Sequence, residues 1–425
     1  MRQEVYAVSS DYLSTFTDAL SGAELLFAQI HVSLYRQFPM KTLPELEAVA
    51  VLAPEISARS REFESARRLP ADLAHKLAEG GVFRIAIAKD YGGTERHPAD
   101  LIRVIEEVSR ADGSVGWCVM IGSVTAALSG FLPAPTAREI YGSDPLVITG
   151  GAVAPTGKAV RAEGGYIVNG RWQWGSATQN CGWITGGALI FEGDKPRIGP
   201  SGDPEFQLMI FPAKDVEILD TWDSSGLRGT GSHDFQVKNA FVPNARAFAI
   251  GVTPPVVKTP LYRFPFFGLL AIGVCAVSLG ITRCAIDEFI ALAGGKVPTW
   301  ERKTLAHSAR IQEAVAEAEA TLRSSRAFLY ETIEAAWDAA STGNSPSLEV
   351  RRDLRLAAAN VAWQCAKVVD AMYSMGGGSV VHSSHPIQRC FRDVHVVTQH
   401  RMVNRSVFET TGKLFLGMAA ESFFL

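Results

Sequence analysis

The hydrophobic period of this chain changes twice, and that restricts its fold more than any single motif does. From Leu43 to about Ile140 apolar residues recur at helical spacing. Leu101, Ile102, Val104, Ile105 and Val108 form one stripe behind Pro98, which suits a first helical turn. From about Val147 to Ala249 the period falls to two, as in Tyr166–Trp174 and Gln207–Phe211. Asn169-Gly170 reads as a hairpin turn between two strands, and closely spaced turn residues suggest a small antiparallel barrel or sandwich. From Pro260 helical spacing returns, with Ala-rich runs over 312–340 and 348–375 split by Gly343-Asn344-Ser345-Pro346. The expected parts are a helical domain over 40–146, a β domain over 147–250 and a helix bundle over 260–425. Residues 1–39 match nothing that follows. Met40 opens a segment that resembles a protein start, so 1–39 reads as an extension, disordered or mis-started.

The composition suits a globular enzyme. Of 425 residues, 47% are hydrophobic and 20% charged. A net charge of −3 gives no basic footprint for nucleic acid. The six cysteines form no CxxC pair or metal-like spacing, and no leader pattern opens the chain, so a cytoplasmic protein with reduced thiols is expected. The histidines of the C-terminal region lack the acidic or Cys partners that a metal site needs. Phe264–Ile281 is uncharged over 18 residues, the lower limit for a membrane span. It carries Pro265, Gly268, Gly273 and Gly280, and reads as a central helix buried among close neighbours rather than a membrane segment.

Four separated stretches carry a resemblance. They are Glu79–Phe83 with Tyr91-Gly92-Gly93, then Asp112–Trp117, then Trp222–Asp234 with Phe241-Val242-Pro243, and last Gly376–His400. In this order they resemble the acyl-CoA dehydrogenase family. The resemblance implies an α+β multidomain fold with an N-terminal helical domain, a central antiparallel β domain and a C-terminal four-helix bundle. It also implies a homotetramer, with a flavin between the β domain and the bundle.

Dehydrogenases of this family need a carboxylate to take the substrate's α-proton. At one family position, nine residues after Arg392, stands Arg401, which cannot act as a base. At the other, on the first bundle helix, no acid occurs between Arg263 and Asp287. Arg392-Asp393-Val394-His395 instead resembles the flavin-dependent monooxygenase branch. That branch takes reduced flavin (FMNH2 or FADH2) from a separate NAD(P)H:flavin reductase and reacts it with O2, through a C4a-hydroperoxide, to oxygenate a small molecule.

The resemblance makes His395 the acid/base group and Ser176 the partner of flavin N5. It places Trp174, Arg228, Thr230, Ser232 and Arg263 at the cofactor. The backbone of Gly377, Gly378 and Ser379 would hold a flavin phosphate, across a subunit interface. Trp117, Ser123, Thr125 and Phe266 would line the substrate pocket, and Trp117, Trp174, Phe264, Phe266 and Phe267 would exclude water. Thr125 stands where phenol hydroxylases carry a histidine, which turns the expectation toward aromatic, heteroaromatic or amine substrates other than a simple phenol. The alternative is a dehydrogenase or oxidase with tightly bound FAD and a displaced base.

Overall fold

Pro70 and Pro98 both stand at helix starts in the computed structural model, which describes residues 43–199, 202–421 and 423–425. The expected extension over 1–39 lies outside the described residues. Helix α1 spans Pro44–Ala58, α2 Ser60–Ala66, α3 Ala71–Glu79, α4 Pro98–Ala111 and α5 Gly113–Ala126. The α4 stripe from Leu101 to Val108 is buried, as its spacing requires.

Eight strands follow: β1 Thr149–Ala162, β2 Gly165–Gly175, β3 Trp183–Glu192, β4 Lys195–Pro196, β5 Phe206–Pro212, β6 Glu217–Leu219, β7 His233–Pro243 and β8 Ala247–Phe248. They form one sheet in the order β6-β7-β2-β1-β3-β5-β8, with β4 on β3, rather than a two-sheet sandwich. All neighbours are antiparallel except β1 and β3. The reason is local. β2 returns along one edge of β1, and the segment 176–182 crosses the end of β1 so that β3 starts on its other edge.

Asn169-Gly170 is not a turn. β2 runs straight through it, and the β1–β2 hairpin closes at Glu163-Gly164, where Gly164 has φ +75°. The β2–β7 register shifts between Val168 and Gly170. The Asn169 side chain bonds the Asn239 backbone N–H at 2.8 Å, so it fills a bulge instead of bending a hairpin.

The uncharged run lies in α6, Phe266–Gly295, and 89% of its most apolar window is buried inside the fold. Its glycines are contact points. A Cβ on Gly268 would lie 2.7 Å from Leu354, on Gly273 3.0 Å from Met120, and on Gly280 2.2 Å from the Glu106 carbonyl. Helices α4 and α5 therefore reach α6 at van der Waals distance. Helices α7 (Ala309–Ser341), α8 (Leu348–Gly376) and α9 (Pro386–Thr398) complete the bundle, and α10 spans Ser406–Phe415. Residues Pro44–Leu425 pack as one unit.

Candidate active site

Three segments meet around one indole. The first is α5. The Asp112 carboxylate accepts hydrogen bonds from the Ser114 and Val115 backbone N–H groups at 2.9 and 3.1 Å, capping the helix start. One turn later Trp117 is buried in the core.

The second is the turn that joins β2 to β3. Trp174 and Ala177 both have left-handed backbones, with φ +66° and +60°. Non-glycine residues in that region store strain, and such strain gathers at functional sites. The turn buries Ser176 and leaves the Trp174 side chain out, 68% exposed. Trp117 Nε1 donates to Ser176 Oγ at 3.0 Å. Ser176 Oγ lies 2.7 Å from Ser232 Oγ, which lies 2.7 Å from Thr230 Oγ1, and Thr230 Oγ1 donates to the Leu227 carbonyl at 2.8 Å.

The direction of this hydroxyl chain follows from its end. A carbonyl only accepts, so the Thr230 proton goes to Leu227. Thr230 then accepts from Ser232, and Ser232 from Ser176. The Ser176 proton is thereby committed inward. Its oxygen accepts from Trp117 and keeps one acceptor position free.

The third segment follows α9. The His400 ring meets Trp117 edge to face, with centroids 5.5 Å apart. His400 Nδ1 accepts from the Met402 backbone N–H at 3.3 Å, so the neutral ring carries its proton on Nε2. Crowding by the surrounding protein, with the positive charge of Arg355, pushes the His400 pKa down to about 4. Part of its surface nevertheless stays accessible. His400 is therefore a neutral hydrogen-bond donor at ordinary pH.

His395 does not join this group. Its Nε2 lies 2.8 Å from Asp370 Oδ1, both side chains are nearly half exposed, and its ring meets Phe391 edge to face. The expected acid/base residue, His395, thus stands apart from Ser176, and the histidine beside Trp117 is His400. A signal was present, because His400 adjoins Arg401, the position where dehydrogenases carry their base.

Other expected residues separate as well. Ser123 is fully buried and donates to the Val82 carbonyl at 2.8 Å, so it cannot line a pocket. Thr125 donates to the Ile121 carbonyl and meets Thr149 Oγ1 at 2.9 Å, tying α5 to β1. Arg228 is held within its own turn, bonded to Asp223 and the Ser224 carbonyl. Arg263 donates to the Lys258 carbonyl at 2.6 Å. Phe266 is half-buried beside Phe267, which packs on Phe423 and Phe424 at the C-terminus. Gly377 and Gly378 are exposed just past α8, and nothing lies within 4 Å of a Cβ placed on Gly378. Along α8 they stand about 30 Å from Arg355, at 1.5 Å per residue. One protomer does not bring them to the Trp117–Ser176–His400 group.

Arg392 and Asp393 clamp the 225–232 turn. Arg392 donates to the Ser225 carbonyl at 2.8 Å and to Glu64 at 2.6 Å, and Asp393 accepts from the Leu227 N–H at 2.6 Å. A Cβ on Gly226 would lie 2.3 Å from the Arg392 carbonyl, so only glycine permits this approach. Burial, with repulsion from Asp112, raises the Asp393 pKa to about 7.

Comparisons with known proteins agree with this architecture. The model for "Acyl-CoA dehydrogenase, N-terminal domain" matches residues 46–131, and that for "Acyl-CoA dehydrogenase, C-terminal domain" matches 272–405. An indole-3-acetate monooxygenase of Pseudomonas putida is 33% identical over 384 residues, covering 90% of this chain and 96% of its own. The flavin-dependent monooxygenase oxygenase subunit HsaA of Rhodococcus jostii is 25% identical, covering 84% and 93%. The solved structure of XiaF from Streptomyces in complex with FADH2 and glycerol superposes with TM-score 0.82 at 22% identity, over 94% of this chain and 98% of that one. With both family domains matched in order and a relative one-third identical over nearly its full length, the chain belongs to the acyl-CoA dehydrogenase family, in its flavin-dependent monooxygenase branch.

Proposed function

We propose that this chain is the oxygenase component of a two-component system, taking reduced flavin from a separate NAD(P)H:flavin reductase to oxygenate an indole or a related small aromatic molecule with O2. The observation that carries this reading is the oriented acceptor at Ser176 beside a neutral His400, with no carboxylate in the base position. The residues fit a flavin. Reduced flavin carries an N–H at N5, and Ser176 keeps one acceptor position for such a donor. The exposed Trp174 indole on the same strained turn offers a flat apolar face to a ring system. When bound, the flavin supplies O2 activation and oxygen transfer.

The chain's own groups then have separate tasks. Trp117 fixes the Ser176 oxygen and excludes water on its side. The hydroxyl chain to Leu227 keeps the Ser176 proton pointing inward. His400 offers Nε2–H to an oxygen or nitrogen of the substrate or of the reacting group. A dehydrogenase would need a carboxylate instead. The buried carboxylates among the described residues are committed elsewhere: Glu45 to Arg96, Asp112 to the α5 start, Asp234 to Arg171 and Asp393 to Leu227.

The relatives' names support an oxygenase subunit served by a reductase, and indole-3-acetate as the first substrate to try. A homotetramer would let a neighbouring copy bring its Gly377–Ser379 backbone to the flavin phosphate. The buried apolar helix and the free thiols suit a cytoplasmic enzyme.

The test is anaerobic mixing of the protein with FMNH2 or FADH2, followed by 18O2 and indole-3-acetate. One labelled oxygen in the product is expected, with one flavin giving the higher yield. Product without label, or oxidised flavin and peroxide alone across a panel of indoles and other small aromatics, would sink the oxygenase reading.

A further inference from the structure

Arg355 lies on the inner face of α8 and is 3% exposed. Its Nη2 donates to the Met402 carbonyl at 2.9 Å, next to His400. Its Nε and Nη1 are buried and have no hydrogen-bond partner among the described residues. The neighbouring charge that acts on it is that of Arg401, also positive, and no carboxylate among the described residues is paired with it. Arg351, one turn earlier on the same face, has a buried Nε that is likewise without a partner. A buried cation in a folded protein is ordinarily paired, because leaving its donors unmade is costly. Strongly perturbed buried groups cluster at functional sites, which makes Arg355 a candidate ligand-binding group.

Its surroundings say which ligand. The positive charge of Arg355 reaches the His400 ring and helps to hold it neutral. That ring also touches Trp117, which holds Ser176. The guanidinium is thus joined to the Trp117–His400 pair through Met402, whose carbonyl accepts from Arg355 and whose N–H donates to His400. A carboxylate accepts two N–H bonds there and supplies the missing negative charge.

We propose that Arg355 is the anion-binding residue of this site, and that the substrates are aromatic acids whose carboxylate is held by the donors the protein leaves free. The proposal rests on the oxygenase reading of the same site. It goes further in naming the recognition group and in making a carboxylate a requirement for tight binding. Anion binding also offsets the Arg355 charge, the second cause after burial of the lowered His400 pKa, and so eases protonation of that ring.

The experiment is calorimetric titration of the full chain with two matched pairs of probes, indole-3-acetate against indole-3-acetamide and phenylacetate against phenylacetamide. Each titration is run alone and with reduced FMN under anaerobic conditions. The unmodified protein binds at least one acid more tightly than its amide. Arg355→Met weakens that acid roughly 10- to 100-fold, the range for hydrogen bonds to a charged group, and leaves the amides and reduced FMN unchanged. Arg355→Lys restores part of the loss. Met replaces an uncompensated buried charge with a flexible apolar chain, so the variant is expected to keep its thermal midpoint or raise it.

Equal affinity for acid and amide in both pairs overturns the proposal. So does a loss in Arg355→Met confined to reduced FMN, which would assign the guanidinium to a flavin phosphate. Acid-selective binding through Arg355 without 18O transfer would instead leave the anion site standing and remove the oxygenase reading.

Discussion

Ser176 acts as an acceptor because of what lies beneath it. Its proton is drawn into the Ser232–Thr230–Leu227 chain, and its oxygen is fixed by Trp117. Ser176→Ala removes that acceptor and leaves the buried Trp117 N–H without a partner, a loss of about 1–3 kcal/mol of stability. The expected functional effect is a higher ratio of peroxide to product. An unchanged ratio would remove Ser176 from the flavin contact. The two histidines separate in the same way. His400→Ala is expected to lower the oxygenation rate roughly 100-fold or more. His395→Ala, which breaks a half-exposed pair with Asp370 of little energetic weight, is expected to stay within about twofold. Single-turnover rates with reduced flavin decide between them, and the reverse order would return the role to His395.

The elements are placed by close approaches that single residues permit. Trp172, fully buried in the sheet, donates to the Gly187 carbonyl at 2.7 Å and fills space kept clear by Gly157, Gly170 and Gly186. A Cβ on Gly170 would lie 2.6 Å from the Trp172 ring. Gly170→Ala therefore overpacks the sheet core by about 1–3 kcal/mol, measurable by urea unfolding. Helix α9 holds the 225–232 turn through Asp393, whose pKa of about 7 lies above its ordinary 3.8. Between those values the folded chain binds a proton that the unfolded chain releases. The Asp393 contribution is thus present at low pH and is lost as pH rises through about 7. His400 has the opposite sign. Its pKa of about 4 lies below the ordinary 6.5, so its contribution is full above 6.5 and lost as pH falls toward 4. Asp393→Asn keeps the acceptor for Leu227 and removes only the first trend. Its stability is expected to rise more steeply from pH 4 to 7 than that of the unmodified protein, and parallel curves would contradict the buried-acid assignment.

Across the whole molecule, the glycine turn after α8 and the Trp117–Ser176–His400 group stand too far apart in one protomer to share one end of a flavin. Gly378 has open space around a would-be Cβ, so Gly378→Asp should leave the fold within about 0.5 kcal/mol of the original. If a second copy brings this turn to a flavin phosphate, the added carboxylate weakens reduced-flavin binding by repulsion. Equilibrium titration alongside the thermal midpoint checks this, and unchanged affinity would detach the turn from the cofactor.

The sequence by itself determined the order of helices, sheet and bundle, because amphipathic periods are local and survive in any packing. It also determined the two vacant base positions, since Arg401 cannot be a base in any fold. Asn169-Gly170 shows where local reading ended. The same dipeptide serves a turn or a bulge, and the pairing of β2 with β7 selected the bulge. His395 and His400 show it again at the site. Both follow the same Arg-Asp pair, and only the packing of α9 against α8 and α5 turned one ring to Asp370 and the other to Trp117. Arg355 gave no signal in an Ala-rich helix face. Its importance comes from burial without a counter-charge, a property of neighbours brought together from distant parts of the chain.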